Sequence, residues 1–308
     1  VASLLDTPHA LKESMWRDLL AFEPDAIFLV GNQLANEVVP PSPPVLSTEA
    51  LWKQYAENRR EVGLFRLEAL VPIFATWGDR DFGQREGDRS HGLKEDAKGI
   101  FRSFFGKVDY PGVYDRGPGV SSRLLAFGQR FFFLDPYSLR SPSAEKRNQT
   151  HFGVDQEAWL FTDLFGDTPN WLISGDPFFL AEPRWASYEG KQPESFRRFI
   201  RRLKSQSSPL IFLSGLREGA QLFEIPPEIL GYRTYEISAG SIHGAIPSSS
   251  GETAPNARRL EAALKENSFL EWLSELFKFV LLLVFWTFLL IFSARNFKIT
   301  GTLKLSYL

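Results

Sequence analysis

Three apolar runs in this sequence end in polar loops whose side chains could do chemistry. Ala26 to Val30 (AIFLV) runs into Gly31-Asn32-Gln33, and Val71 to Trp77 (VPIFATW) into Gly78-Asp79-Arg80-Asp81. Pro209 to Ser214 (PLIFLS) runs into Gly215-Leu216-Arg217-Glu218, and a fourth run, Tyr235 to Ser238, leads through Ala239-Gly240-Ser241-Ile242 to His243. Asp79, Asp81 and His243 are residue types that hold a divalent cation or move a proton. Arg80 and Arg217 suit a phosphate instead, because the guanidinium fork matches two phosphate oxygens. Each also has a plainer reading: an Asp beside Arg80 pairs with it or caps a loop, and a lone His at a strand end serves packing.

Loops of this kind need strands and helices to position them. Short apolar runs closed by Gly read as buried parallel strands, whose C-terminal tips are where α/β sites sit. The spacing predicts helices over Ala10 to Phe22, Thr48 to Asn58, Lys94 to Phe105, Phe152 to Phe165 and Pro193 to Ser205. Ser122 to Phe127 and Gln129 to Leu134 read as a hairpin with Phe131, Phe132 and Phe133 buried, and Trp171 to Ser174 as a further strand. Pro40, Pro41, Pro43 and Pro44 force an extended excursion between the first strand and the helix after it.

Composition removes several classes of function. The net charge of -2, with 35 basic and 37 acidic residues, provides no general field for nucleic acid. The chain has no cysteine, so disulfides, thiolate metal sites and cysteine nucleophiles are out. No Gly-x-Ser-x-Gly elbow occurs, Gly166-Asp167 and Gly240-Ser241 lack the spacing of phosphate loops, and His9, His91 and His151 stand isolated. Asn148-Gln149-Thr150 fits the glycosylation triplet, a pattern common by chance. The basic run Arg197, Arg198, Arg201, Arg202 and Lys204 reads as a solvated helix face, or as a contact for anionic lipid or an acidic partner.

Phe279 to Ala294 (FVLLLVFWTFLLIFSA) carries no charge, and its 16 residues fall slightly short of the roughly 20 that span hydrocarbon. Leu270, Trp272, Leu273, Leu276 and Phe277 extend it, while Lys278 can reach the headgroups. The expectation is a single membrane helix over residues 269–295 and a tail over 296–308, after a linker and helix over 248–268. Arg295, Lys298 and Lys304 after the helix lean towards a cytoplasmic tail and an exported main domain, periplasmic or lumenal. Val1 is not Met and no charged-then-apolar leader is visible, which fits a processed export peptide or a truncated start.

Eight local segments, in order, resemble the alkaline phosphatase D (PhoD-like) family of calcineurin-like metallophosphoesterases: PDAIFLVGN at 24–32, ATWGDRDFG at 75–83, KEDAKGIFRSFFG at 94–106, GVY at 112–114, RFFFLDPYSLR at 130–140, FGVDQEAWL at 152–160, LIFLSG at 210–215 and SAGSIH at 238–243. For residues 1–247 the resemblance implies an α/β sandwich of two mixed sheets flanked by helices. It also implies a metal pair held at the strand tips by Asp, Asn and His, polarising a phosphoester and activating water. This chain departs from the family there. The family's Gly-Asp-Asn stands here as Gly31-Asn32-Gln33, its Trp-Asp-Asp-His-Asp as Trp77-Gly78-Asp79-Arg80-Asp81, its Ser-Gly-Asp-x-His as Ser214-Gly215-Leu216-Arg217-Glu218, and its Gly-Ser-Cys as Ala2-Ser3-Leu4. An arginine stays protonated and cannot ligate a metal.

Asn32, Gln33, Gly78, Arg80, Leu216 and Glu218 are thus degenerate positions of a metal site, with Asp79, Asp81 and His243 as residual catalytic candidates and Asp6 a possible neighbour. The expectation is no cofactor, no metal and no enzyme activity. The chain reads as a membrane-anchored subunit, with membrane lipid and other membrane-protein subunits as partners through Trp272, Phe279, Phe285, Trp286 and Phe292. Two alternatives stand beside this reading. One is a divergent metal-dependent phosphoesterase around Asp79, Asp81 and His243; the other is a phosphate or anionic-lipid binding module using Arg80 and Arg217.

Overall fold

The computed structural model describes residues 16–34, 47–61, 71–106, 109–145, 148–179, 187–206, 208–215 and 221–239. Leu216, Arg217, Glu218, His243, Asp6 and the expected linker, membrane helix and tail lie outside these residues. Among the described residues no helix is long and apolar enough to cross a membrane.

Strands β1 (Ile27–Val30) and β2 (Ile73–Thr76) pair in parallel. The other seven are β3 (Tyr114–Arg116), β4 (Ser122–Ala126), β5 (Gln129–Leu134), β6 (Asn170–Ser174), β7 (Leu210–Ser214), β8 (Gln221–Ile225) and β9 (Thr234–Ser238). They form one sheet in the order β3-β4-β5-β6-β7-β9-β8. Its centre, β5-β6-β7-β9, is parallel, and its edges, β3-β4-β5 and β8-β9, are antiparallel. Only the larger sheet is mixed: among the described residues the smaller one is a single parallel pair, not a second mixed sheet, because the chain returns from β1 to β2 through the helix Thr48–Glu61, a crossover that keeps the strands parallel.

Pleating explains why RFFFL reads as an unbroken apolar run. Phe131 and Phe133 point to one face, where Phe28 of β1 meets both rings at 5.1 Å, edge to face. That face joins β1 and β2 to Trp171, Ile173 and Leu213, and takes in Leu51, Tyr55, Ala97, Ile100 and Phe101 from the helices Thr48–Glu61 and Lys94–Phe105. Phe132 and Leu134 point the other way, into a second core with Phe161, Phe199 and Leu203 from the helices Val154–Asp163 and Pro193–Gln206. A strand buried on both faces has no polar alternation to show.

The Asp79–Phe82 segment, expected as a polar loop, is one helical turn closed by Gly83 at φ +82°. Strands β3 and β8 were not expected. Tyr114–Arg116 is too short and polar for a periodic signal, and Gln221–Ile225 gains its strand character by pairing with β9.

Phe28 bridges the two sheets at zero exposure, so Phe28→Ala is expected to lower stability by about 3–5 kcal/mol in urea denaturation, while Val154→Ala, at 72% exposure, is expected to change it by less than about 0.5 kcal/mol.

Candidate functional site

The parallel strands of both sheets deliver their C-terminal ends to one edge of the molecule, and there the sheets converge backbone to backbone. A Cβ at Gly175 would fall 2.0 Å from the Trp77 carbonyl oxygen, and one at Gly215 would fall 2.0 Å from that of Val30. Glycine at both positions lets the β6 and β7 tips press against the loops after β2 and β1. The Gly215 N–H donates to Ser174 across the tips at 3.1 Å, and the Ala239 N–H donates to Ser214 at 2.8 Å.

On the smaller sheet the two polar loops are stitched together. Asn32, in the left-handed region at φ +50°, accepts a hydrogen bond from the Arg80 N–H at 3.1 Å and bonds the Asp79 carboxyl. Gln33 donates to the Thr76 carbonyl at 2.8 Å. Asp81 is fully buried: Oδ1 accepts from the Leu34 N–H at 2.9 Å, and Oδ2 from the Gly78 N–H at 2.8 Å. Burial pushes its carboxyl up to about 7, the backbone N–H donors pulling the other way. Burial, then the nearby Asp176, raises Asp79 as well. The structure therefore brings together Asn32, Gln33, Gly78, Asp79, Arg80 and Asp81.

A second group of residues, not foreseen from the sequence, completes the cluster from the larger sheet. Asp176 lies just beyond β6, 1% exposed. Its carboxylate accepts from the Tyr137 hydroxyl, from Lys191 Nζ at 2.8 Å and from Arg140 at 3.3 Å. Burial alone would raise it, but Lys191 and Arg140 outweigh that and hold it below the usual carboxylate range. Lys191 also pairs with Glu86 at 3.0 Å. His151, isolated in sequence, is here fully buried, its Nε2 3.7 Å from Asp176 and its ring stacked on Tyr188 at 4.2 Å. Burial first, then Arg140, takes its imidazole well below the ordinary range, so it is neutral.

Two further buried carboxylates hold the supporting loops. Asp135, after β5, accepts from Trp77 Nε1 at 2.8 Å and from the N–H groups of Val120, Tyr137 and Ser138. Glu236, inside β9, accepts from the N–H groups of Phe178 and Phe179 at 2.8 and 3.0 Å, which fixes the loop that carries Asp176. Asp135 and Asp176 each follow an apolar strand, the same signal that marked Asp79. Arg140, His151 and Lys191 have no such local mark. Among the described residues no three His, Asp or Glu side chains form a group that could hold a metal ion.

No family model and no curated protein matches the sequence. Among solved structures, one titled "Structure of PhoD" superposes with a TM-score of 0.56 at 19% identity, covering 71% of this chain and 52% of that one. The likeness shows that the described domain has a PhoD-like fold, and the chain spans about half the length of that protein.

Two outcomes follow from this geometry. Asp176→Ala strips Arg140 and Lys191 of their shared carboxylate and is expected to cost about 3–5 kcal/mol in chemical denaturation. His151 has a lowered folded-state pKa, so its contribution is present above the unfolded value of about 6.5 and is lost as pH falls below it, by up to about 1.4 kcal/mol per pH unit. Asp81 titrates with the opposite sign, and the readout is therefore the wild-type stability minus that of His151→Phe, measured from pH 8 to pH 5: this difference is expected to fall with pH.

Proposed function

We propose that this chain is a non-catalytic, membrane-anchored subunit built on a phosphoesterase-type domain, with membrane lipid and other membrane-protein subunits as its partners. The observation that carries the non-catalytic reading is the way Asp176 is held. Lys191, Arg140 and Tyr137 already use its oxygens at the point where the strand tips meet. Asp81 is likewise committed to backbone N–H groups. Asn32 stands where the family resemblance implies a carboxylate, and Arg80 where it implies an imidazole.

The donor set does not fit a resident metal pair. A divalent cation there would face Arg80, Arg140 and Lys191 and would have to take carboxylate oxygens from charged donors that already hold them. The anchoring half of the reading is supported by the uncharged run from Phe279 to Ala294. One observation favours the divergent-phosphoesterase alternative: Asp79 and Asp176 are buried carboxylates close enough to raise the Asp79 carboxyl, and a cation between them would relieve that repulsion.

The full chain, extracted in mild detergent, is expected to bring other membrane proteins with it. Supplied with Mn, Fe, Ca or Zn, it is expected to hydrolyse bis(p-nitrophenyl) phosphate no faster than the metal blank. Stoichiometric bound transition metal, together with hydrolysis that disappears in the Asp79→Asn/Asp81→Asn variant, would establish the enzyme instead.

A further inference from the structure

The helix Pro193–Gln206 buries Ser195, Phe196, Phe199, Ile200 and Leu203 against the larger sheet, so its orientation is locked. Its outer face carries four arginines and one lysine, all exposed, against the single acid Glu194. These cations are held outward mostly by neutral groups. Arg198 donates to the Gln149 carbonyl, Arg201 to the Arg197 carbonyl at 3.3 Å and Lys204 to the Glu228 carbonyl at 3.0 Å, while Arg202 lies 4.0 Å over the Phe161 ring. A carbonyl orients a cation without cancelling its charge. The Arg197–Glu194 pair is 64% and 76% exposed, where screening leaves it little strength. Glu157, partly buried beneath the row, is the neighbouring carboxylate that acts on Arg198 and Arg202.

We propose that this helix face is a docking surface for an anionic lipid bilayer. From Arg197 to Lys204 the row extends about 10 Å at 1.5 Å per residue. Its charges are spread along an exposed helix face, which suits a plane of phosphate headgroups. The chain as a whole carries a charge of -2, so the attraction comes from this local face and not from the protein's overall charge. The inference goes beyond the subunit reading and is independent of whether the strand-tip cluster is catalytic.

The absence of cysteine makes a clean test available. Ser205→Cys, on this exposed face, carries a fluorophore in the full chain, and Ser103→Cys, exposed on a helix beyond the opposite sheet, serves as control. The labelled chains are placed in nanodiscs of phosphatidylcholine with or without phosphatidylglycerol, with a headgroup quencher; co-sedimentation with vesicles of the same lipids makes the same comparison for chain that does not insert. The expected result is quenching at 205 but not at 103, in anionic lipid and not in neutral lipid, abolished by high salt. Vesicle affinity is expected to fall about fivefold for each cation removed in Arg198→Gln, Arg201→Gln and Lys204→Gln at low ionic strength. Equal quenching in neutral lipid, no quenching in either lipid, an unaffected triple variant, or binding to soluble polyglutamate alone would overturn the proposal.

Discussion

The carbonyl oxygens of Val30 and Trp77 lie where Cβ atoms of residues 215 and 175 would have to be, and the whole strand-tip edge is built around that fact. Stacked sheets ordinarily stand about 10 Å apart, a gap filled by side chains such as Phe28 against Phe131 and Phe133. At the tips that filling stops and main chain meets main chain. The polar loops from β1, β2, β6 and β7 are thereby brought into one small volume. Any side chain at Gly175 or Gly215 would push the sheets apart and dissolve the arrangement.

Once the loops are this close and this dry, charge has to be answered locally. Asp81 is answered by backbone N–H groups, Asp135 by Trp77 and three N–H groups, Glu236 by Phe178 and Phe179, and Asp176 by two cations and a phenol. Such pairs contribute little net stability, because the desolvation of each ion offsets most of the attraction. Removing one partner is a different matter, since it leaves the other group buried without an answer. His151 belongs to the same economy: beside Arg140 and Lys191 it is tolerated as a neutral ring stacked on Tyr188.

Much of the scaffold was legible as local pattern. The apolar runs closed by glycine at 31, 78 and 215 fall at the ends of β1, β2 and β7, and the helical spacing at 94–105 and 193–205 matches the observed helices within a residue. The ordered resemblance to PhoD-like phosphoesterases agrees with the superposed PhoD structure. Strand β3, with the sequence Tyr-Asp-Arg, offered no such pattern, and β8 takes its identity from its neighbour β9. The smaller sheet, expected to be mixed, is a parallel pair among the described residues because the crossover helix imposes that direction.

Local sequence decided where strands stop and which side chains hang from their ends: Asn32 follows β1 and Asp79, Arg80 and Asp81 follow β2, and hydrophobic alternation and glycine punctuation are short-range properties. Tertiary structure decided which ionisable groups share one low-dielectric space. Asp176 meets Tyr137, Arg140 and Lys191 across separations of 39, 36 and 15 residues, and Glu236 reaches Phe178 across 58. Coulomb and desolvation energies depend on distance in space and on burial, and neither is encoded in spacing along the chain. The cage around Asp176 therefore emerges only when β5 and β6 pair and the segments that follow them fold back together.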